Sequence, residues 1–140
     1  GNRFMAMPSY RNRILGLQMY KYDIAGFLQW GYNFYYSQYS VRLINPYLVT
    51  DADGAFPSGD PFSVYPGKDG PIESLRLKVF KNALQDMQAL KYLEKFISKE
   101  EIISMMDEET SITFSNYPHS AEFILKFREK VNEKIKSFIN

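Results

Sequence analysis

The sequence predicts an α/β chain, a parallel strand–helix–strand unit followed by largely helical polypeptide. Three observations carry this expectation. Residues 26–36, GFLQWGYNFYY, alternate with a period of two and hold seven large apolar or aromatic side chains among eleven. That is the pattern of a strand buried on both faces. Residues 9–24 set Ile14, Leu17, Lys21 and Ile24 on one ridge beside Leu15, Met19 and Tyr22, the spacing of a helix. Between Leu75 and Ile97, Val79, Ala83, Met87, Leu90 and Leu93 continue a single apolar stripe, as an amphipathic helix does.

Taken in order, RFMAMPS (3–9) reads as a short strand that ends at Pro8-Ser9. Ser9 is the expected N-cap of the first helix, and Gly26 the residue that stops it. Residues 1–36 therefore read strand, helix, strand. Residues 37–71 hold five of the seven prolines. A loop this long is uncommon in a compact domain and tends to be functional. Within it, SVYPG is expected to form a short strand and turn. Residues 72–140 read as helical. Pro71 and the acidic Glu73 open a helix over 72–97, Ser98 and Glu101 form a capping box, and Phe123, Phe127, Val131, Ile135 and Phe138 line a last helix. The three segments are expected to make one structural unit.

The composition narrows the function classes. A chain of 140 residues with 45% hydrophobic content can bury a core, as one domain or as a piece of a larger one. Its 17 basic and 16 acidic side chains leave a net charge of +1, which argues against a nucleic-acid binder. With no cysteine and a single histidine, His119, no thiolate nucleophile or His/Cys metal site is expected, and no cofactor is implied. No run approaches the length of a membrane span. The N-terminus lacks a signal-peptide layout, so a cytoplasmic location is the expectation. Gly1 in place of Met predicts that the natural chain begins earlier.

Several weak motifs have plainer explanations. In DADG (51–54) the glycine comes too early for a calcium loop, and aspartates bonding their own turn explain it better. PGKDG (66–70) lacks the Ser or Thr of a phosphate loop. The adjacent acids Asp107, Glu108 and Glu109 fall in a polar break between helices and read as a solvated turn rather than a catalytic pair. His119 is expected at the surface.

The aromatic stretch is more informative. Nine of the 23 aromatic residues lie between Tyr20 and Tyr39. Phe27, Leu28 and Phe34 read as core. Trp30, Tyr32 and Asn33 sit toward the C-terminal end of the strand, where α/β proteins gather their sites. Either they pack the helix against the strand, or Trp30 offers a flat face to a sugar and Asn33 and Gln29 meet its hydroxyls. Alternation sends Trp30 and Asn33 to opposite faces unless a bulge re-aims one of them.

The run NRFMAMPSYRNRILGLQMYKYDIAGFLQWGYNFYY, the segment SGDPFSVYPGKDGPIESLRL and LQDMQALKYLEKFI together resemble the C-terminal conserved domain of glycoside hydrolase family 123-like proteins, catalogued as a domain of unknown function. The matching positions include Gly26, Leu28, Trp30 and Asn33, then Gly59, Asp60, Phe62, Val64, Tyr65, Pro66 and Gly67. Gly70, Pro71, Ser74, Arg76, Gln85 and Asp86 complete them. The resemblance covers residues 2–97 and departs from the family pattern at Pro61 and Met87.

The resemblance implies the C-terminal part of a (β/α)8 barrel, a TIM barrel fragment in which residues 3–9 and 27–35 are the last two strands, followed by a helical extension. It implies an N-acetylhexosaminidase-type hydrolase in which an adjacent Asp-Glu pair, on a strand this chain does not contain, assists the substrate's own acetamido group. The chain alone is then expected to be inactive, with no catalytic residue and no metal. Its expected contribution is substrate binding by Trp30, Tyr32 and Asn33 at the barrel mouth, with Asp60 and Tyr65 in the capping loop and Arg76 beside it. For Asp60 and Arg76 an ion pair that anchors the loop stays open as the other reading. The expected partner is an N-acetylhexosamine-type carbohydrate, and open strand edges allow a homo-oligomer. The alternative is a non-catalytic carbohydrate-binding or oligomerisation module.

Overall fold

In the computed structural model the described residues are 2–139; Gly1, which carries the expectation of a longer natural chain, lies outside them. The chain runs α1 (Tyr10–Arg13), α2 (Leu15–Lys21), β1 (Val64–Gly67), β2 (Gly70–Glu73), α3 (Leu75–Leu93), α4 (Lys99–Met106) and α5 (Ala121–Ile139). A short 3-10 turn, Gln38–Ser40, lies in the long segment before β1.

The three later helices form where local chemistry directs them. Ser74 is extended (φ −77°, ψ 159°) and its Oγ accepts the Leu77 N–H at 3.2 Å, capping α3. Ser98 does the same for the Glu101 N–H at the start of α4, also at 3.2 Å. Val79, Ala83, Met87, Leu90 and Leu93 are buried along α3, whereas Leu75 at its first turn is exposed. On α5, Ile124, Phe127 and Val131 face inward. Met87, Leu90, Leu93, Ile124, Phe127 and Val131 meet Ile14, Leu17, Ile102, Met106 and Ile112 in the main core. Each large side chain fully withdrawn from water stabilises the fold by roughly 1.5–3 kcal/mol.

The helix over 9–24 differs in detail from the expectation. Ser9 is already helical (φ −60°, ψ −28°) and makes no side-chain cap, and the helix breaks at Ile14 into α1 and α2. Gly26 does not stop it. Asp23 does, at φ 53°. The Ile24 N–H bonds the Met19 carbonyl at 2.9 Å and the Asp23 N–H bonds that of Tyr20 at 3.4 Å, the paired bonds of a Schellman ending. Gly16 has a separate role: a Cβ there would stand 2.0 Å from the Ala83 carbonyl oxygen, so its absence lets α2 lie directly on α3.

The two expected parallel strands do not form a ladder. Residues 3–7 close a turn, with the Met7 N–H on the Phe4 carbonyl at 3.1 Å, and the Met5 N–H bonds the Ser58 carbonyl at 2.9 Å. Residues 26–36 make only isolated antiparallel bridges, Asn33 with Phe62 and Tyr36 with Leu43. A ladder needs a neighbouring strand over several residues, and among the described residues the backbone beside this stretch is loop. The sheet that does form is the antiparallel hairpin β1–β2, with Val64 opposite Glu73 and Gly67 opposite Gly70. Pro71 and Glu73 thus belong to β2 and not to a helix start. The described residues form a mixed helical structure with one small sheet.

Candidate functional site

The segment 27–36 lies against residues 59–65, and this contact positions most of the expected site. The Phe34 N–H bonds the Pro61 carbonyl at 3.1 Å, and the Ser63 and Val64 N–H groups both reach the Tyr32 carbonyl, at 2.7 and 3.3 Å. Two successive donors on one acceptor mark a bulge at Ser63–Val64, so strict alternation of side chains is lost on that side and not at Tyr32. Gly31 makes the approach feasible. A Cβ there would stand 2.2 Å from the Asp60 carbonyl oxygen.

Trp30 is half exposed, at 50%, with Phe56 and Phe34 covering part of its ring at centroid distances of 4.8 and 5.7 Å. Tyr32 and Asn33 are exposed beside it in sequence. Neither side chain makes a hydrogen bond among the described residues. An open indole face and an uncommitted amide are what a sugar ring and its hydroxyls require. Phe27 and Leu28, read as core, are in fact exposed, Leu28 at 90%. The neighbouring Gln29 accepts a hydrogen bond from Arg3.

Arg3 is an unexpected feature. The residue is 3% exposed and its guanidinium lies over the rings of Phe80, at 4.0 Å, and Phe27, at 4.8 Å. Burial lowers its pKa to about 10. Nothing in the period-two pattern of residues 3–9 distinguishes this arginine from a solvated one.

Tyr65 is held by rings rather than offered freely. It stacks on Tyr47 at 5.3 Å and meets the edge of Phe62 at 5.1 Å, while the Tyr47 hydroxyl donates to the Pro66 carbonyl at 2.7 Å. The Tyr35 hydroxyl donates to the Val64 carbonyl at 2.8 Å. Burial raises the Tyr35 pKa, and Tyr47, Tyr32 and Tyr65 add to the shift. Tyr35, Phe62, Tyr65 and Tyr47 thus form one aromatic cluster.

The anticipated ion pair between Asp60 and Arg76 does not form. Arg76 Nη2 donates to the Phe62 carbonyl at 2.7 Å, and its guanidinium fills the space where a Cβ on Gly59 (φ 88°) would come within 3.0 Å of it. A carbonyl fixed by the 59–63 loop is a better-placed acceptor than the Asp60 side chain, which makes no ion pair among the described residues. Arg76 braces the loop.

The acidic run is also committed. Asp107 accepts from Lys21 at 2.5 Å and from the Ile112 N–H at 3.0 Å, and Glu108 pairs with Lys130 at 2.5 Å. Asp107 is therefore a partly buried tie between α2 and the 107–113 turn, not a freely solvated acid. His119 is exposed and stacks on Tyr10. A hollow of about 600 Å³ lies between α3 and α5, where Gln85, Gln88, Tyr92 and Arg128 border it, and it includes no expected site residue. Among the described residues no group of His, Cys, Asp or Glu is placed to hold a metal ion, and no helix is long and apolar enough to cross a membrane.

Residues 1–93 match the family model described as glycoside hydrolase 123, catalytic domain. No curated protein matches the chain.

Proposed function

The chain belongs to the glycoside hydrolase 123 family, and from that membership we propose that it is the C-terminal portion of an N-acetylhexosaminidase-type protein. It supplies the wall of a sugar site and lacks the catalytic acid pair. The observation that carries this reading is the half-exposed Trp30 ring, backed by Phe56 and Phe34 and followed by the uncommitted side chains of Tyr32 and Asn33. The apolar face of an N-acetylhexosamine lies on the indole, while the Asn33 amide donates to one hydroxyl and accepts from its neighbour. Arg76 holds the 59–63 loop that carries Asp60 toward the same segment.

The exposed Leu28, Val41, Leu43 and Leu48 support the second half of the proposal. So much apolar surface along one stretch suits packing against further chain, here the other strands of a (β/α)8 barrel in which residues 3–9 and 27–35 come last. The same surface favours the alternative reading, a non-catalytic carbohydrate-binding or oligomerisation module. Asp107, whose carboxyl is held below its ordinary value, is a poor candidate for a general acid, which needs a carboxyl kept protonated near neutral pH.

Two assays test the proposal. The chain should release no nitrophenol from a nitrophenyl N-acetyl-β-galactosaminide above the buffer rate, and turnover would contradict the missing acid pair. N-Acetylgalactosamine should perturb Trp30 fluorescence saturably, and an unresponsive Trp30 would contradict the sugar wall.

A further inference from the structure

Beyond Trp30, a second hollow of about 340 Å³ opens where the chain turns back after Tyr36. Among the described residues, five non-glycine residues have positive φ, and three of them border this hollow: Tyr39 (57°), Ala52 (55°) and Asp53 (67°). Ser40, which follows Tyr39, is a fourth, at 57°. Left-handed backbone at Tyr, Ser and Ala costs free energy and persists only where surrounding contacts impose it. One consequence is visible in the side chains. Tyr39 is 87% exposed, and its ring makes no aromatic contact among the described residues.

The lining also holds a two-pronged ion pair. Arg42 Nη2 meets Asp53 Oδ1 at 2.6 Å and Nε donates to Oδ2 at 3.2 Å, with both side chains substantially exposed. The turn is fixed beneath it, because the Ser37 N–H bonds the Arg42 carbonyl at 2.9 Å and the Arg42 N–H bonds Ser37 Oγ at 3.1 Å. Asp51 Oδ1 accepts the N–H of Gly54, another lining residue, at 2.9 Å. An exposed ring, a planar fork of donors beside acceptors and the Gln38 amide thus share one shallow hollow.

The chemistry selects a ligand class. Asp53 neutralises Arg42, which removes the preference for an anion. Vicinal hydroxyls can accept from the guanidinium and donate to the carboxylate at once, and the tyrosine ring takes an apolar sugar face. In sequence the hollow follows directly on the Trp30 stretch. Rings follow one another from Trp30 to Phe34 at 5.7 Å and from Phe34 to Tyr36 at 5.9 Å, and Tyr36 pairs with Leu43 at the base of the turn. Resting on the reading of Trp30 as a sugar platform, we propose that Tyr39, Arg42 and Asp53 form a second subsite. It takes a neutral saccharide unit of the glycan whose terminal N-acetylhexosamine lies at Trp30.

The test compares N-acetylgalactosamine with a neutral trisaccharide that ends in it, titrated into the isotope-labelled chain with amide shifts and Trp30 emission followed together. The trisaccharide should bind about fivefold tighter or better and move the amides of residues 37–42 and 52–55. Tyr39→Ala should abolish that gain, Tyr39→Phe should keep it, and neither should change the monosaccharide affinity. Tyr39 is so exposed that both variants should fold, as the rest of the amide spectrum will show. Equal affinity for the two sugars, or a gain that survives Tyr39→Ala, overturns the second subsite while a Trp30 response to the monosaccharide leaves the first standing. Silence at Trp30 with both sugars and no shifts at 37–42 overturns both. Shifts at 37–42 with a silent Trp30 sustain the hollow and overturn the platform.

Discussion

Arg13 and Asp86 form a two-pronged ion pair, Nε to Oδ2 at 2.7 Å and Nη2 to Oδ1 at 3.1 Å, on a carboxylate side chain that is 4% exposed. Arg128 adds a third bond from α5, Nη1 to Oδ1 at 3.0 Å, and donates as well to the Gln85 carbonyl at 2.9 Å. One acid on α3 therefore ties down α1 and α5. Gln85 and Asp86 are among the positions that carry the family resemblance, and the structure gives Asp86 a scaffold role.

Asp86→Ala leaves two guanidinium groups facing a partly buried space with no counter-charge. Removing one partner of a buried pair costs about 3–5 kcal/mol, so urea unfolding should shift to markedly lower midpoint. Arg128→Gln should cost less, about 1 kcal/mol, because Arg13 keeps both its bonds.

Gly16→Ala tests the α2–α3 contact. The added methyl would fall 2.0 Å from the Ala83 carbonyl oxygen, and 2.7 Å from its carbon. Backbone cannot yield as a flexible side chain would, so the expected destabilisation is about 3 kcal/mol or more, read from the same unfolding curves. Helix propensity alone would give the opposite sign.

Helices α3, α4 and α5 were legible in apolar spacing near 3.6, and α4 also in its capping serine at 98; the start of α3 was not, because Pro71 and Glu73 form β2 and Ser74 is the cap. Residues 26–36 were not. Period two fixes where side chains point and says nothing about which backbone lies alongside, and here that backbone is the 59–63 loop and the start of β1. The helix stop moved from Gly26 to Asp23 because aspartate tolerates the left-handed region nearly as glycine does. Asp60 and Arg76 carry opposite charges near one another in sequence, yet the Phe62 carbonyl takes the guanidinium at 2.7 Å. Phe56, which covers Trp30, sits in a stretch without periodicity, so no pattern announced it. Of the expected site residues, Trp30, Tyr32 and Asn33 are exposed, Tyr65 is engaged with other rings, and Arg76 is bound to the loop.

Gly31→Ala should disable the sugar wall without unfolding the helices. Its methyl would stand 2.2 Å from the Asp60 carbonyl oxygen and push residues 30–33 off the 60–63 loop. N-Acetylgalactosamine affinity should fall about tenfold, while the far-ultraviolet circular dichroism of the helices stays as in the parent chain.

Acid should loosen the junction at Asp107. Burial opposes its ionisation, but hydrogen bonds from Lys21, the Ile112 N–H and Ser111 outweigh this and hold the carboxyl below its ordinary 3.8. A folded-state value below the unfolded one contributes stability that is complete above about pH 4 and is lost as pH falls through the folded value. Asp107→Asn should therefore be less stable than the parent at neutral pH, with the difference shrinking toward strong acid. Unfolding curves measured across that range check it.

The most direct measurement is a titration of Trp30 fluorescence with N-acetylgalactosamine, because Trp30 is the chain's one tryptophan and the signal has a single source. The account predicts a saturable change in intensity or a blue shift, strongly weakened in Asn33→Ala, whose exposed side chain leaves the fold intact. An emission spectrum unchanged up to tens of millimolar sugar, or a response that Asn33→Ala leaves untouched, would contradict the sugar wall at Trp30 and Asn33.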